Sequence, residues 1–88
     1  MIEKELEVSN RLGLHARPAA KIAQVVAKHP AKVKIVKDGM EINAKSVMGI
    51  MMLAADKGSK LTFVVDGEGE KALMEELENL FKAKFDED

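Results

Sequence analysis

In the stretch Gly13-Leu14-His15-Ala16-Arg17-Pro18-Ala19-Ala20, an imidazole, a guanidinium and a proline fall almost side by side. Histidine titrates near neutrality, with a free pKa of about 6.5, and so can act as a base or nucleophile at cellular pH. Arginine offers a planar fork of donors that matches phosphate through two hydrogen bonds. If Ala16 opens a helix, His15 takes the cap position and Ala16, Arg17 and Pro18 form the first turn. Proline is tolerated there because first-turn amides have no partner within the helix. The amides of Ala16 and Arg17 then remain free at the positive end of the helix dipole, where an anion is favoured. Positive charge from the helix end and from Arg17 disfavours an imidazolium. The expectation is a His15 that is neutral near pH 7 and keeps a lone pair for attack. The groups around it would hold a phosphoryl group once attached, which suits accepting and donating phosphate. A surface histidine or a plain cap is the simpler reading of the same residues, and so short a motif does not decide between the two.

A second constellation is Lys45-Ser46-Val47-Met48-Gly49-Ile50-Met51-Met52-Leu53. Ser46 is a good helix N-cap. The helix after it, through Ala55, is apolar all round, and a domain this small can cover only one side of it. A methionine-rich patch left in solvent is an adaptable docking surface. A fully buried core helix is the competing reading. His29, followed by Pro30, has a structural role at a helix end, where it favours the negative dipole terminus. With two histidines and no cysteine, no patterned set of metal ligands is present, and no metal or other cofactor is expected.

The elements that must position these groups follow from periodicity. Ile2, Leu6 and Val8 alternate with Glu3, Glu5 and Glu7 as in a half-buried strand. Ala19, Ile22, Ala23 and Val26 recur at helical spacing between Ala16 and Lys28. Asp38-Gly39 is a favoured two-residue hairpin turn, and it sets Ile35 opposite Ile42, Val33 opposite Ala44, Lys34 opposite Asn43 and Val36 opposite Glu41. Leu61, Phe63 and Val65 share one face of a further strand. A last helix from about Glu70 to Ala83 carries a stripe of Leu73, Leu77, Leu80 and Phe81. The final Phe85-Asp86-Glu87-Asp88 reads as a solvated acidic end, with Phe85 free to fold back. The order is β-α-β-β-α-β-α. Strands with one apolar and one polar face accept helices on one side only. The expected fold class is therefore α/β of the α+β kind: an open-faced β-sandwich, with a four-stranded antiparallel sheet and three helices on one face. Residues 1–88 are expected to form one domain.

Composition narrows the function. Lysine and arginine number 14 against 15 aspartates and glutamates, a net charge of -1, without the basic excess of a general nucleic-acid or membrane-surface binder. There is no tyrosine or tryptophan, and only three phenylalanines. Of these, Phe63 sits on the core face, so a base-stacking RNA-binding sheet is rejected. No apolar stretch reaches the roughly 20 residues that span a bilayer, and the N-terminus lacks a signal peptide's apolar segment. A soluble cytoplasmic protein is expected. A pure protein-interaction module built on the methionine patch would leave the histidine motif unexplained.

Together, Gly13–Ala20 after the first strand, Ala44–Ala55 after the hairpin, and the element order across the chain resemble the HPr family. These are the histidine-containing phosphocarriers of the bacterial phosphoenolpyruvate:sugar phosphotransferase system. The resemblance implies a stoichiometric carrier rather than an enzyme. His15 would receive a phosphoryl group through Nδ1 from phosphorylated Enzyme I and pass it to sugar-specific IIA domains. It further implies that Arg17 binds phosphate with the amides of Ala16 and Arg17, and that Ala20, Val47, Met48 and Met51 dock partners. Ser46 matches a regulatory serine phosphorylated in some bacteria by an HPr kinase/phosphorylase. A monomer is expected. His15 argues against the catabolite-control relative that lacks this histidine, whereas nitrogen-related paralogues share the motif and remain an alternative branch.

Overall fold

A computed structural model describes residues 1–87. Asp38 and Gly39 take φ values of 48° and 81°. Two successive left-handed residues make the tight turn whose twist matches flanking strands. Strands β2 (Lys32–Lys37) and β3 (Met40–Asn43) leave that turn in the register set by the apolar pattern, with Lys34 opposite Asn43, Ile35 opposite Ile42 and Val36 opposite Glu41. The Ala44 N–H donates to the Val33 carbonyl at 3.0 Å and carries the pairing one step further. Strand β4 (Lys60–Asp66) inserts between β2 and β1 (Ile2–Glu7), giving a wholly antiparallel sheet of order β1-β4-β2-β3.

One face of that sheet is covered and the other is open. Leu61, Phe63, Val65, Val33 and Ile35 are buried beneath the helices, whereas Glu3, Glu5, Lys32 and Lys34 stand in solvent. Helices α1 (Ala16–Ala27), α2 (Val47–Met52) and α3 (Glu70–Lys82) supply the other half of the core through Ile22, Val26, Ile50, Leu73 and Leu77. Met74, which the sequence stripe omitted, is buried with them, and Leu80 packs at the edge. Lys4 shares the parity of the inner face, but it lies where α3 passes and bonds Glu78 at 3.0 Å. Among the described residues, no helix is long and apolar enough to cross a membrane.

Element ends differ from the expectation in physically readable ways. Val8 lies beyond the regular β1 ladder but stays buried, its backbone bonded to Gly58 and Ser59. Helix α2 stops at Met52 rather than continuing to Ala55, because Ala54 turns to φ 50°. A non-glycine residue there costs about 1–2 kcal/mol. That turn aims the Ala55 carbonyl at the Leu14 N–H, 2.9 Å away. Gly13, at φ 72°, passes so close that an added Cβ would lie 2.5 Å from the same carbonyl. The loop bearing His15 is thus clamped to the end of α2 at a position only glycine fits.

The largest departure is the acidic end. Phe85 is fully buried, its ring edge-on to Phe81 at a centroid distance of 4.9 Å. Phe81 in turn meets Phe63 edge-on at 5.4 Å. The Lys84–Asp86 turn holds three successive positive φ values, 53°, 56° and 60°. Strain of about 1–2 kcal/mol per residue is offset by burial of the phenyl ring, worth about 1.5–3 kcal/mol, and by the bond from Lys21 Nζ to the Phe85 carbonyl at 2.7 Å. Asp86 remains in solvent, but the Glu87 side chain is only 10% exposed. The end is therefore a docked strap, because one buried aromatic drags the neighbouring acids back onto the fold. Asp88 lies outside the described residues.

Candidate functional site

Two segments meet in front of α1: the clamped loop Asn10–Leu14 and the strap. His15 occupies the N-cap position, with extended backbone at φ -76° and ψ -171°, and its carbonyl accepts the Ala19 N–H at 3.0 Å. Its side chain makes no capping bond. The ring serves the site instead of the helix, and the first-turn amides of Ala16 and Arg17 have no capping side chain on them. This departs from a histidine that caps in the ordinary sense. Arg17 is exposed on the first turn. Pro18 is buried, together with Ala19, and fixes the turn against the core.

The imidazole is partly covered. Its Nε2 atom is buried, and Glu87 Oε2 approaches it to 2.7 Å, although the side chain as a whole is 38% exposed. That approach is short but is not lined up on the ring N–H as a finished hydrogen bond. Asn10 braces the arrangement. It is fully buried, and its Nδ2 donates both to the Gly13 carbonyl at 2.7 Å and to Glu87 Oε1 at 2.9 Å. Burial works to raise the Glu87 pKa. Contact with His15, the Asn10 bond, and the charges of His15 and Arg17 outweigh it and hold the carboxyl below its ordinary value. A negative group thus lies beside the ring, one that the reading from helix end and Arg17 alone did not count.

The second constellation lies on α2, which packs against α1. Ser46 Oγ accepts the Gly49 N–H at 2.9 Å and caps α2. Only Ile50 of this helix is buried. Val47, Met48, Met51 and Met52 stand exposed, Met48 and Met52 by 76% and 67%. The helix is therefore not a buried core element, and an apolar surface of adjustable side chains faces solvent. Leu12, 66% exposed, lies on the His15 loop at a shallow depression that Leu14, His15, Ala54, Ala55 and Asp56 also line. Ala20 is half-buried on α1, one helical turn beyond Arg17. His29 stands at the end of α1, as expected, and has a side-chain partner besides. Its Nε2 meets Glu76 Oε1 at 2.8 Å and ties the end of α1 to α3. Sequence reasoning missed Asn10, Leu12 and Glu87. For Asn10 the visible signal was an asparagine three residues before a glycine, residue types that hold turns.

An uncapped helix start, a histidine at its mouth and an exposed apolar patch on the neighbouring helix fall within a known sequence pattern. A family model described as "PTS HPr component phosphorylation site" matches residues 2–83. The chain belongs to the HPr family. A phosphocarrier protein HPr of Xylella fastidiosa is 46% identical over 88 residues, covering 100% of this chain and 99% of the relative. The crystal structure of HPr-C-His from Thermoanaerobacter tengcongensis superposes with a TM-score of 0.95 at 38% identity, covering 100% of this chain and 99% of that one. A second structure from that organism, described as an HPr dimer, gives a TM-score of 0.77 at 38% identity, over 97% of this chain and 98% of that one. The expectation of a monomer therefore does not follow from HPr membership. The HPr family match ends at residue 83, so the strap that reaches His15 lies beyond it.

Proposed function

We propose that the chain is a stoichiometric phosphoryl carrier and acts as a single domain. His15 accepts a phosphoryl group on Nδ1 from phosphorylated Enzyme I, then yields it to a sugar-specific IIA domain. The lone pair of Nδ1 forms the new N–P bond as the donor's N–P bond breaks, and the departing nitrogen recovers its electron pair. The amides of Ala16 and Arg17 and the Arg17 guanidinium hold the equatorial oxygens, so positioning and charge do most of the work. Ala20, Val47, Met48 and Met51 form the docking surface, and Ser46 is the site where phosphorylation regulates docking. The observation that carries this reading is a histidine at the mouth of α1 whose ring is free of capping duty and whose helix amides are left open.

Incubation with phosphoenolpyruvate and Enzyme I, followed by mapping of acid-labile phosphate, tests it. The label is expected on His15 alone, and His15→Ala should abolish labelling while the fold persists, since the ring fills no part of the core. Phosphate on His29, or labelling that survives in the variant, would overturn the assignment.

A further inference from the structure

The two ring nitrogens of His15 are not equivalent in this fold. Nε2 is buried under the Glu87 carboxylate at 2.7 Å, although the side chain remains more than a third exposed. Glu87 is itself held from the other side by Asn10 Nδ2 at 2.9 Å, and Asn10 is fully buried and tied to the Gly13 carbonyl. The strap that delivers the carboxylate is anchored independently of the ring. Phe85 fills the core against Phe81, and Lys21 Nζ holds the Phe85 carbonyl at 2.7 Å. Its backbone passes through three positive φ values to get there, a conformation retained only where surrounding contacts impose it.

We infer that Glu87 is a positioning residue for phosphoryl transfer: its carboxylate closes Nε2, keeps the proton on that nitrogen, and presents Nδ1 as the only acceptor. A carboxylate against one ring nitrogen favours the tautomer protonated there, which leaves the other nitrogen as the nucleophile. When Nδ1 takes the phosphoryl group, the Nε2 proton stays in place and positive charge builds on the ring beside the Glu87 carboxylate. Contacts of this kind are often poorly aligned at rest and tighten as the reacting state forms. No proton leaves the ring, and no further reactant is needed.

This inference rests on His15 as the acceptor, and the test separates the two claims. Phosphoramidate, a small donor whose P–N bond breaks with release of ammonia, phosphorylates an accessible imidazole nitrogen without any partner protein. The parent is expected to give phosphate on Nδ1 of His15 only, read by phosphorus and nitrogen NMR of the ring. Glu87→Ala is expected to add the Nε2 product, while Glu87→Gln, which keeps an acceptor in place, restores Nδ1 selectivity. With Enzyme I as donor, Glu87→Ala should lower kcat by about tenfold, the usual scale for losing a group that orients a functional histidine, with KM unchanged because the docking patch is untouched. Nδ1-only product in Glu87→Ala, or transfer that is as fast or faster, would overturn the inference; the latter would make the carboxylate a competitor for the phosphate site. Regiochemistry read with phosphoramidate decides the role of Glu87 even if Enzyme I proves not to be the donor.

Discussion

Arg17, two residues after His15, and Glu87, against its ring, carry opposite charges, and each has its own expectation. Replacing Arg17 with alanine removes charge-assisted contacts worth about 1.5–3 kcal/mol. Transfer from Enzyme I should slow by about tenfold or more, with little change in melting temperature because the side chain is exposed. A stopped-flow rate equal to the parent's would mean that the helix amides suffice. Glu87 gives a pH signature. Against the penalty of burial, His15, Asn10 and Arg17 face it and lower its pKa from the ordinary 4.5. A depressed carboxyl adds stability that is present above 4.5 and is lost as the pH falls through the lowered value. Carbon NMR of the Glu87 carboxyl should place its midpoint below 4.5, and His15→Ala should move it back up; a midpoint at or above 4.5 in the parent would contradict the contact. The places of His15, Arg17 and Ser46 were legible because they are set locally: an N-cap position, a first turn and a side-chain cap. Glu87 was not legible. Its partner is remote in sequence, and Lys84, Phe85 and Asp86 adopt left-handed angles that no local preference of theirs suggests. The isolated phenylalanine in an acidic run was the one available hint.

Helix α2 joins a side-chain cap to an exposed apolar face. Its start is fixed by Ser46 Oγ on the Gly49 amide, and its outer face is methionine in solvent. Ser46→Ala should cost about 1 kcal/mol through the lost cap and still dock normally, measured by denaturant titration beside calorimetric binding to Enzyme I. Phosphorylation of Ser46 adds about -1.5 to -2 charge at pH 7. At a helix start that charge is tolerated, so the fold should persist. Beside Val47, Met48 and Met51 it has to be desolvated, or it repels an acidic rim, when a partner docks. Ser46→Asp should weaken Enzyme I binding in the same direction but less, most visibly at low salt. Equal affinity of Ser46→Asp and the parent at low salt would leave Ser46 as a cap alone. The hairpin was readable to the residue because the Asp38-Gly39 turn and the apolar alternation demand the same register. The end of α2 was not, since apolar residues continue through Ala55 and only the tertiary demand for an Ala55 carbonyl at Leu14 stops the helix.

For the whole molecule, the sheet and the helix layer carry a clamped loop and a docked strap that meet at the start of α1, where His15 lies. Among the described residues, a partly exposed imidazole lies near an exposed apolar surface, an arrangement that suits the proposed meeting of a donor and a recipient in turn. The architecture was legible as a whole because an open-faced sheet leaves a period of two in every strand and one apolar stripe in each long helix. The contacts that close the site were not, because they join residues brought together only after the sheet has formed. Carrying, as opposed to merely becoming labelled, is the central claim. Its most direct test is a single-turnover chase: chain phosphorylated on His15 is freed of Enzyme I and phosphoenolpyruvate and mixed with excess IIA domain. Loss of phosphohistidine from the chain should be matched by equal gain on the IIA domain, with little release of inorganic phosphate. Phosphate that stays on His15, or appears only as inorganic phosphate, would contradict it.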